Sequence, residues 1–209
     1  MYQIIKENNN PSILIVTPLR TNDVIPKKLI SSMNRNITPF SWVSHSGLTC
    51  AKNASKAIEL YPHSLPDYII KLDNDIEPDN CWLDKLYNKL KNTKDEIAYS
   101  YSSFSYYGYI NANFPAITFD ENRLKQSNYI SSVSLFKTKP LMEVGGFYHD
   151  ENLKRIDDWA LLLKLLYKGY KGIPVDTYFK NEGKPSSISS GSQQEYAIEY
   201  NYLKQQGLI

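Results

Sequence analysis

The sequence lacks the features that mark zinc-thiolate, secreted and membrane proteins. It has only two cysteines, Cys50 and Cys81, which lie far apart and have no CxxC or Cys/His companions. This usage argues against a zinc site and predicts thiols of a reducing compartment. No run reaches the roughly 18 apolar residues of a membrane span, and residues 1–10 do not have the basic start and apolar segment of a signal peptide. We therefore expect a cytoplasmic protein without a transmembrane segment.

The sequence also has no large excess of positive or negative charge. The net charge is +2 over 209 residues, so bulk charge indicates neither nucleic acid nor an anionic membrane as a partner. The hydrophobic share of 42% and the charged share of 22% are those of an ordinary globular protein. The length is enough for one large α/β domain with a real core, and no internal repeat is visible.

Short apolar runs alternate with helical patterns along the first hundred residues. This alternation predicts an α/β fold with a mostly parallel central sheet flanked by helices. Asp79 is the expected N-cap of the third helix, and Gly169 is expected to end the apolar helix that begins at Asp157. The predicted strands are 12–17, 40–44, 68–72, 97–101, 129–136 and 173–178, and the predicted helices are 26–35, 51–60, 80–91, 157–168 and 194–205.

Two segments do not follow either pattern. Residues 104–125 show no clear period and are interpreted as an irregular excursion or a small hairpin. Residues 181–192 are rich in Gly, Ser and Pro, which is typical of a disordered tail or of a lid that orders over a ligand.

The most informative segment is 68–79, where a β-branched apolar run ends at Asp73 and Asp75. Two carboxylates at a strand end suit a hard divalent cation, and that cation could clamp a diphosphate. A helix-capping and turn cluster is the plain alternative, because Asp and Asn are common between a strand and a helix. The acids also match the spacing of a calcium loop, but Pro78 stands where that loop needs glycine.

A second acidic pair stands further along the chain. Gly145 and Gly146 form a glycine turn, and Asp157 and Asp158 then open a strongly apolar helix. Carboxylates are favoured at a helix start by the macrodipole, which explains one of the two. The other, Asp158, is available as a general base for deprotonating an alcohol.

Taken together, these segments resemble the family 2 glycosyltransferases of the GT-A fold, within the nucleotide-diphospho-sugar transferase superfamily. The resemblance extends over about residues 12–175. Its motifs are the first strand and nucleotide loop at 13–18, the small-residue helix at 48–57 with Lys52 in place of the usual Arg, the DxD triplet at 73–75, the glycine turn at 145–147 and the acidic motif at 157–159. Two departures stand out: residues 42–47 contain no base-reading carboxylate, and the tail lacks the Gln-x-x-Arg-Trp motif of processive enzymes.

The resemblance implies a single GT-A-like domain over residues 1–209. A nucleotide-sugar half would cover about 12–100, an acceptor-side half about 101–180, and a flexible loop with a C-terminal helix about 181–209. The implied activity is metal-dependent, inverting, non-processive transfer of a sugar from a nucleotide-diphosphate donor, with a UDP-sugar favoured, to an acceptor hydroxyl. Mn²⁺ or Mg²⁺ would be the cofactor.

The resemblance also assigns roles to residues. Asp75 and Asp73 would hold the metal, and Asp158 would be the catalytic base. The donor-binding candidates are Thr17, Pro18, Arg20, Lys52, Asn53, Asp73 and Asn74, and the acceptor-side candidates are Gly146, Asp157 and Trp159, with Lys184 as a lid or phosphate contact. Arg20, Lys52 and Lys184 can also be interpreted as plain surface charge. Trp159 can also be interpreted as a core residue.

Two other classes compete with a glycosyltransferase. A non-catalytic carbohydrate- or nucleotide-binding protein that retained the fold would explain the missing base-reading acids. A metal-dependent nucleotidyltransferase is the third class, but no Gly-rich, Arg-containing phosphate loop follows the first strand.

Overall fold

The computed structural model describes residues 1–147, 150–183 and 192–209. Its strands are β1 (Tyr2–Lys6), β2 (Ile13–Leu19), β3 (Phe40–Ser46), β4 (Tyr68–Lys71), β5 (Ile76–Pro78), β6 (Ile97–Gly108), β7 (Ala112–Phe114), β8 (Leu135–Lys137) and β9 (Lys171–Gly183). Its helices are α1 (Lys27–Met33), α2 (Cys50–Glu59), α3 (Trp82–Leu90), α4 (Glu121–Gln126), α5 (Thr138–Glu143), α6 (Asp157–Tyr167) and α7 (Gln193–Gln205). Within the described residues, all strands join one sheet in the order β1-β3-β2-β4-β8-β6-β9-β5, with β7 beside β6.

The expectation of a mostly parallel sheet is wrong, because the sheet is mixed. β2 runs parallel to β3 and β4, and β6 runs parallel to β9. The other pairings between the described strands are antiparallel. A parallel pair needs a long crossover, which α1 and α2 supply around β2. β8 instead enters between β4 and β6 in the opposite direction, and no local pattern in the sequence reveals such an insertion.

The core lies on both faces of the sheet, which explains why β2 is apolar throughout. Since side chains alternate along a strand, Leu14 and Val16 pack on the α2 and α6 face, while Ile13 and Ile15 pack on the α1 and α3 face. Every residue of β2 is buried. The carboxyl end of this strand is therefore held firmly at the edge of the sheet where the acidic segment also lies.

Most of the predicted elements are confirmed to within a few residues. The strands at the first three predicted positions are present, as are the helices after them, and α6 ends before Gly169, whose φ of 85° suits only glycine. The small-hairpin interpretation of 104–125 is confirmed for β6 and β7, which pair between Phe104 and Phe114. β1, β5, α4 and α5 were not anticipated.

The predicted strand at 129–136 is wrong over most of its length. Only its last two residues belong to a strand, β8. Before it, the Ser131 hydroxyl accepts a hydrogen bond from Val133 N at 3.0 Å, and the Ser134 hydroxyl donates to Ser131 O at 2.8 Å. These local serine bonds satisfy the backbone in a turn, so the segment is buried without being extended.

Asp79 is not the N-cap of α3. The helix begins at Trp82 after Cys81, which adopts a left-handed φ of 54°, and the Asp79 carboxylate instead accepts a bond from Lys85 Nζ at 2.9 Å. Residues 184–191, which include the predicted contact Lys184 and most of the predicted lid, lie outside the described residues. None of the helices within the described ranges is long and apolar enough to cross a membrane.

Candidate functional site

The carboxyl ends of β2, β3 and β4 lie together at one edge of the sheet. Parallel register places Pro18 beside His45 and Val16 beside Lys71, and Leu72 N donates to Val16 O at 2.9 Å. In open α/β sheets, ligands bind in the crevice outside the carboxyl ends of such strands. The acidic segment follows β4 directly and therefore lies at this edge.

A cleft of about 960 Å³ opens beside the acidic segment. Three of the predicted donor-side residues, Arg20, Asn74 and Asp75, line it. The exposed rings of Tyr107 and Tyr178 stand at its wall. Its charged lining is mixed, with the cations Arg20, Lys28, Arg35 and Lys180 and the carboxylates Asp23, Asp75, Glu77, Asp79 and Glu182. A cleft that presents both cations and carboxylates can hold a polyanionic ligand together with a divalent cation.

Asp73 connects this cleft with the second acidic pair. Desolvation raises the pKa of its carboxyl to about 6, Lys71 lowers it, and the carboxylates of Asp75 and Asp157 raise it. Two carboxylates from one strand end and a third from α6 therefore act on one another across the edge of the sheet. This mutual repulsion is the local field that a bound cation would relieve.

Asp73 and Asp75 can hold a metal ion only if other ligands complete its coordination. Among the described residues, no group of three or more His, Cys, Asp or Glu side chains is arranged to hold an ion. Mg²⁺ commonly binds through one or two carboxylates, with the remaining positions filled by water and substrate phosphates. Asp73 and Asp75 supply that minimal set, so they suit a cation that arrives with a phosphate ligand.

Asp158 lies in the first turn of α6, facing a small cavity that Lys71, Asp157 and Phe147 also line. Its Oδ1 accepts a hydrogen bond from Trp159 N at 2.8 Å, and its Oδ2 accepts one from Asn128 Nδ2 at 3.3 Å. Desolvation and then Asp157 raise the pKa of Asp158 to about 7, against the lowering effect of Lys71 and of the Trp159 N–H group. A carboxylate with a pKa near neutrality can take up a proton and release it again.

Lys71 is the functional residue that the sequence analysis missed. Its side chain is only 6% exposed, and its Nζ lies 4.0 Å from Cys50 Sγ. Desolvation lowers the pKa of Lys71, but Cys50, Asp157, Asp73 and Asp158 together raise it above its ordinary value. Lys71 is therefore the buried cation between the two acidic pairs. A signal was present, because a lysine inside an otherwise apolar strand is rarely buried without charged partners.

Cys50, which lies beside Lys71, is a structural thiol. Desolvation is the largest influence on it and raises its pKa to about 12. A thiol in this state is neither a nucleophile nor a metal ligand, because both roles need the thiolate.

Three of the predicted donor-binding residues, Thr17, Pro18 and Asn53, form the framework of the edge instead of lining the cleft. Asn53 Nδ2 donates to Leu19 O at 3.0 Å and to Leu48 O at 2.8 Å, while its Oδ1 accepts from Leu48 N at 3.1 Å. Its Oδ1 also lies 2.7 Å from His45 Nδ1, so the amide ties together the ends of β2 and β3 and the loop before α2. Thr17 and Pro18 are buried in β2, whereas the half-buried Lys52 pairs with Glu151 at 3.0 Å and does not line the cleft either.

The acceptor-side predictions need a correction at Trp159. Its side chain is 0% exposed, and its Nε1 donates to Leu124 O at 2.7 Å, so the ring is part of the core. Gly146 and Gly145, with φ of 79° and 96°, end α5 through a bond from Gly146 N to Leu141 O. Their positive φ angles explain the glycine pair. Phe147 follows this turn and lines the same cavity as Asp158.

Comparison with known proteins identifies the fold. No protein-family model matches the sequence, and no curated protein matches it. Among solved structures, S. aureus TarS in complex with UDP-GlcNAc aligns with a TM-score of 0.60 at 11% identity, over 90% of this chain and 64% of that one. TarS in complex with UDP gives 0.55 at 11% identity, over 83% and 61%. A further TarS structure gives 0.51 at 12% identity, over 83% and 37%.

The chain therefore has the mixed α/β fold of TarS, with a central sheet flanked by helices. It spans less than two thirds of the length of each of these TarS chains. At 11–12% identity, the similarity is one of fold.

Proposed function

We propose that this protein is a glycosyltransferase that moves a sugar from a nucleoside-diphosphate donor to an acceptor hydroxyl. The observation that carries the proposal is the electrostatic coupling of two acidic pairs through Lys71 and Asp73. One pair follows β4 beside the cleft, and the other opens α6. The fold shared with TarS, which was solved with UDP and UDP-GlcNAc, supports the proposal and favours a UDP-sugar as the donor.

The donor would lie in the cleft with its diphosphate near Asp75 and Arg20. Mn²⁺ or Mg²⁺, held by Asp73 and Asp75, would neutralise the diphosphate as it becomes the leaving group. Asn74, between the two carboxylates, lines the same cleft and would contact the nucleoside. The DxD triplet would thus act as the donor-side half of the site, as in a GT-A enzyme of family 2.

The transfer step uses Asp158 as the base. The acceptor oxygen forms a bond to the anomeric carbon, and the bond from that carbon to the diphosphate oxygen breaks. The electron pair leaves with the nucleoside diphosphate, and the acceptor proton passes to a carboxylate oxygen of Asp158. A pKa of about 7 suits this role, because the group is ionised before the step and binds the proton after it. Attack from the face opposite the leaving group inverts the anomeric centre, and one sugar is added per encounter.

Turnover of a donor panel tests the proposal. We expect release of nucleoside diphosphate from at least one UDP-sugar in the presence of Mn²⁺. Asp158→Asn should lower this rate by about 10²- to 10⁴-fold and leave UDP binding, measured by calorimetry, unchanged. Asp67→Asn is the matched control, because Asp67 is exposed at the opposite end of β4.

Two outcomes would count against this function. Wild-type transfer rates in Asp158→Asn would remove the proposed base. Metal-dependent UDP binding without turnover of any donor would favour the non-catalytic nucleotide- or carbohydrate-binding protein, which is the second candidate.

A further inference from the structure

Helix α7 is fixed across the start of α6. The buried carboxylate of Glu199 accepts hydrogen bonds through Oε2 from Arg155 N at 3.0 Å and from Ile156 N at 3.3 Å. Arg155 Nη1 in turn donates to Ser192 O at 2.6 Å, at the residue that caps α7. These bonds hold α7 against the two residues that precede Asp157 and Asp158.

Three aromatic rings connect the core beneath α6 with the surface of α7. The Trp159 and Tyr200 ring centroids are 6.0 Å apart with an interplanar angle of 29°. Those of Tyr200 and Tyr196 are 6.4 Å apart at 24°. Trp159 is fully buried, Tyr200 is half-buried and Tyr196 is 37% exposed, so the stack ends in a ring that reaches solvent.

The exposed ring lies within the electrostatic reach of the proposed base. Desolvation raises the pKa of the Tyr196 hydroxyl, and Tyr200 and Asp158 raise it further. Together with the contacts of α7 to residues 155 and 156, this places the Tyr196 ring near the start of α6, the helix whose first turn carries Asp158. A flat apolar ring beside a carboxylate is the combination that binds a sugar, because a pyranose has a C–H face and a rim of hydroxyl groups.

We propose that Tyr196 is the acceptor platform and that the acceptor is a carbohydrate. The tyrosine ring packs against the C–H face of a pyranose unit and thereby directs one of its hydroxyl groups toward Asp158. This inference rests on the proposed function and adds the class of the acceptor to it. It also assigns the acceptor contact, which the burial of Trp159 removes from that residue, to the outermost ring of the same stack.

Direct binding of simple sugars tests the inference. The probes are the methyl α- and β-glycosides of glucose, galactose and N-acetylglucosamine, titrated into the protein with UDP and Mn²⁺ present and followed by saturation-transfer NMR. We expect at least one glycoside to bind. Tyr196→Leu should raise its dissociation constant about three- to tenfold, while Tyr196→Phe and Tyr196→Trp, which keep a ring, should stay within about twofold of the wild type.

Ile198→Ala is the matched control, since Ile198 is 63% exposed on the same helix. It should bind the glycoside as the wild type does. The inference is overturned if no glycoside binds a wild-type protein that does bind UDP, or if Tyr196→Leu matches Ile198→Ala. It is also overturned if Tyr196→Trp loses as much affinity as Tyr196→Leu. Failure of the wild type to bind any nucleotide would instead overturn the proposed function.

Discussion

Asp158 shows how a common carboxylate acquires a pKa suited to proton transfer. Desolvation and the neighbouring Asp157 favour its protonated form, while Lys71 and the Trp159 N–H group favour the ionised form. An isolated aspartate has a pKa of about 3.9, so the balance of these effects at about 7 lies well above the ordinary value. The buried lysine is what keeps the base partly ionised near neutrality.

A pH profile follows from this balance. Because the base must be ionised, kcat should rise with pH up to about 7 and fall about tenfold per pH unit below that point. Lys71→Met removes the cation that lowers the pKa of Asp158, so the midpoint of the profile should move to higher pH. Both profiles are measured by diphosphate release at saturating donor. An unchanged midpoint in Lys71→Met would contradict the assigned role of Lys71.

The same pKa has a consequence for stability. A carboxyl whose pKa is raised in the folded state binds a proton more tightly there than in the unfolded chain. Its contribution to the free energy of unfolding is therefore largest at acid pH and is lost as the pH rises from about 4 to about 7. The buried Asp158 carboxyl therefore lowers the free energy of unfolding at neutral pH. Strongly shifted pKa values of this kind cluster at functional sites.

At the scale of elements, the Glu199 side chain links α7 to the start of α6. Glu199→Ala leaves the N–H groups of Arg155 and Ile156 without their carboxylate partner, so we expect a loss of about 1–3 kcal/mol of unfolding free energy. Urea unfolding measures this loss, and hydrogen exchange should show faster exchange at residues 193–205. Gln194→Ala, exposed on the same helix, is the control and should change little. Equal stability of the two variants would show that α7 is held by other contacts.

The elements that could be predicted are those whose pattern is local. β2 is a continuous β-branched run, and α6 has carboxylates at its start and glycine after its end, so each could be identified from its own residues. β5 and β8 have three residues each and exist only because distant strands pair with them. Their positions depend on long-range contacts that periodicity does not encode.

The same distinction applies to the candidate site. Asp73, Asp75 and Asp158 could be chosen because each stands in a recognisable local motif. The proposed roles of Lys71, Glu199 and Tyr196 depend on interactions with residues far away in the sequence. Asn53 was predicted to touch the donor, but its amide nitrogen donates to the backbone oxygens of Leu19 and Leu48. Motif position alone does not separate a ligand contact from a framework contact.

At the scale of the whole molecule, residues separated by more than eighty positions build one edge of the sheet. Charged side chains lie at this edge in three places: directly after β4, at the start of α6, and in the cleft between α1 and β9. The folded protein without ligand therefore holds several carboxylates close to one another. A ligand that brings a cation and a diphosphate together would neutralise both the acids and the basic residues of the cleft, which neither component does alone.

Thermal unfolding should reveal this joint requirement. A ligand at about 100 times its dissociation constant stabilises the folded state by about 2.7 kcal/mol, which for a chain of this size raises Tm by about 5–10 °C. We expect this shift with UDP and Mn²⁺ together, and little shift with either alone. EDTA should reverse it, Asp75→Asn should abolish it, and Asp67→Asn should preserve it, because only Asp75 lies in the cleft. If UDP still raised Tm in the presence of EDTA, the cleft would bind the nucleotide without a metal, through Arg20, Lys28, Arg35 and Lys180. Asp73 and Asp75 would then lose their proposed role.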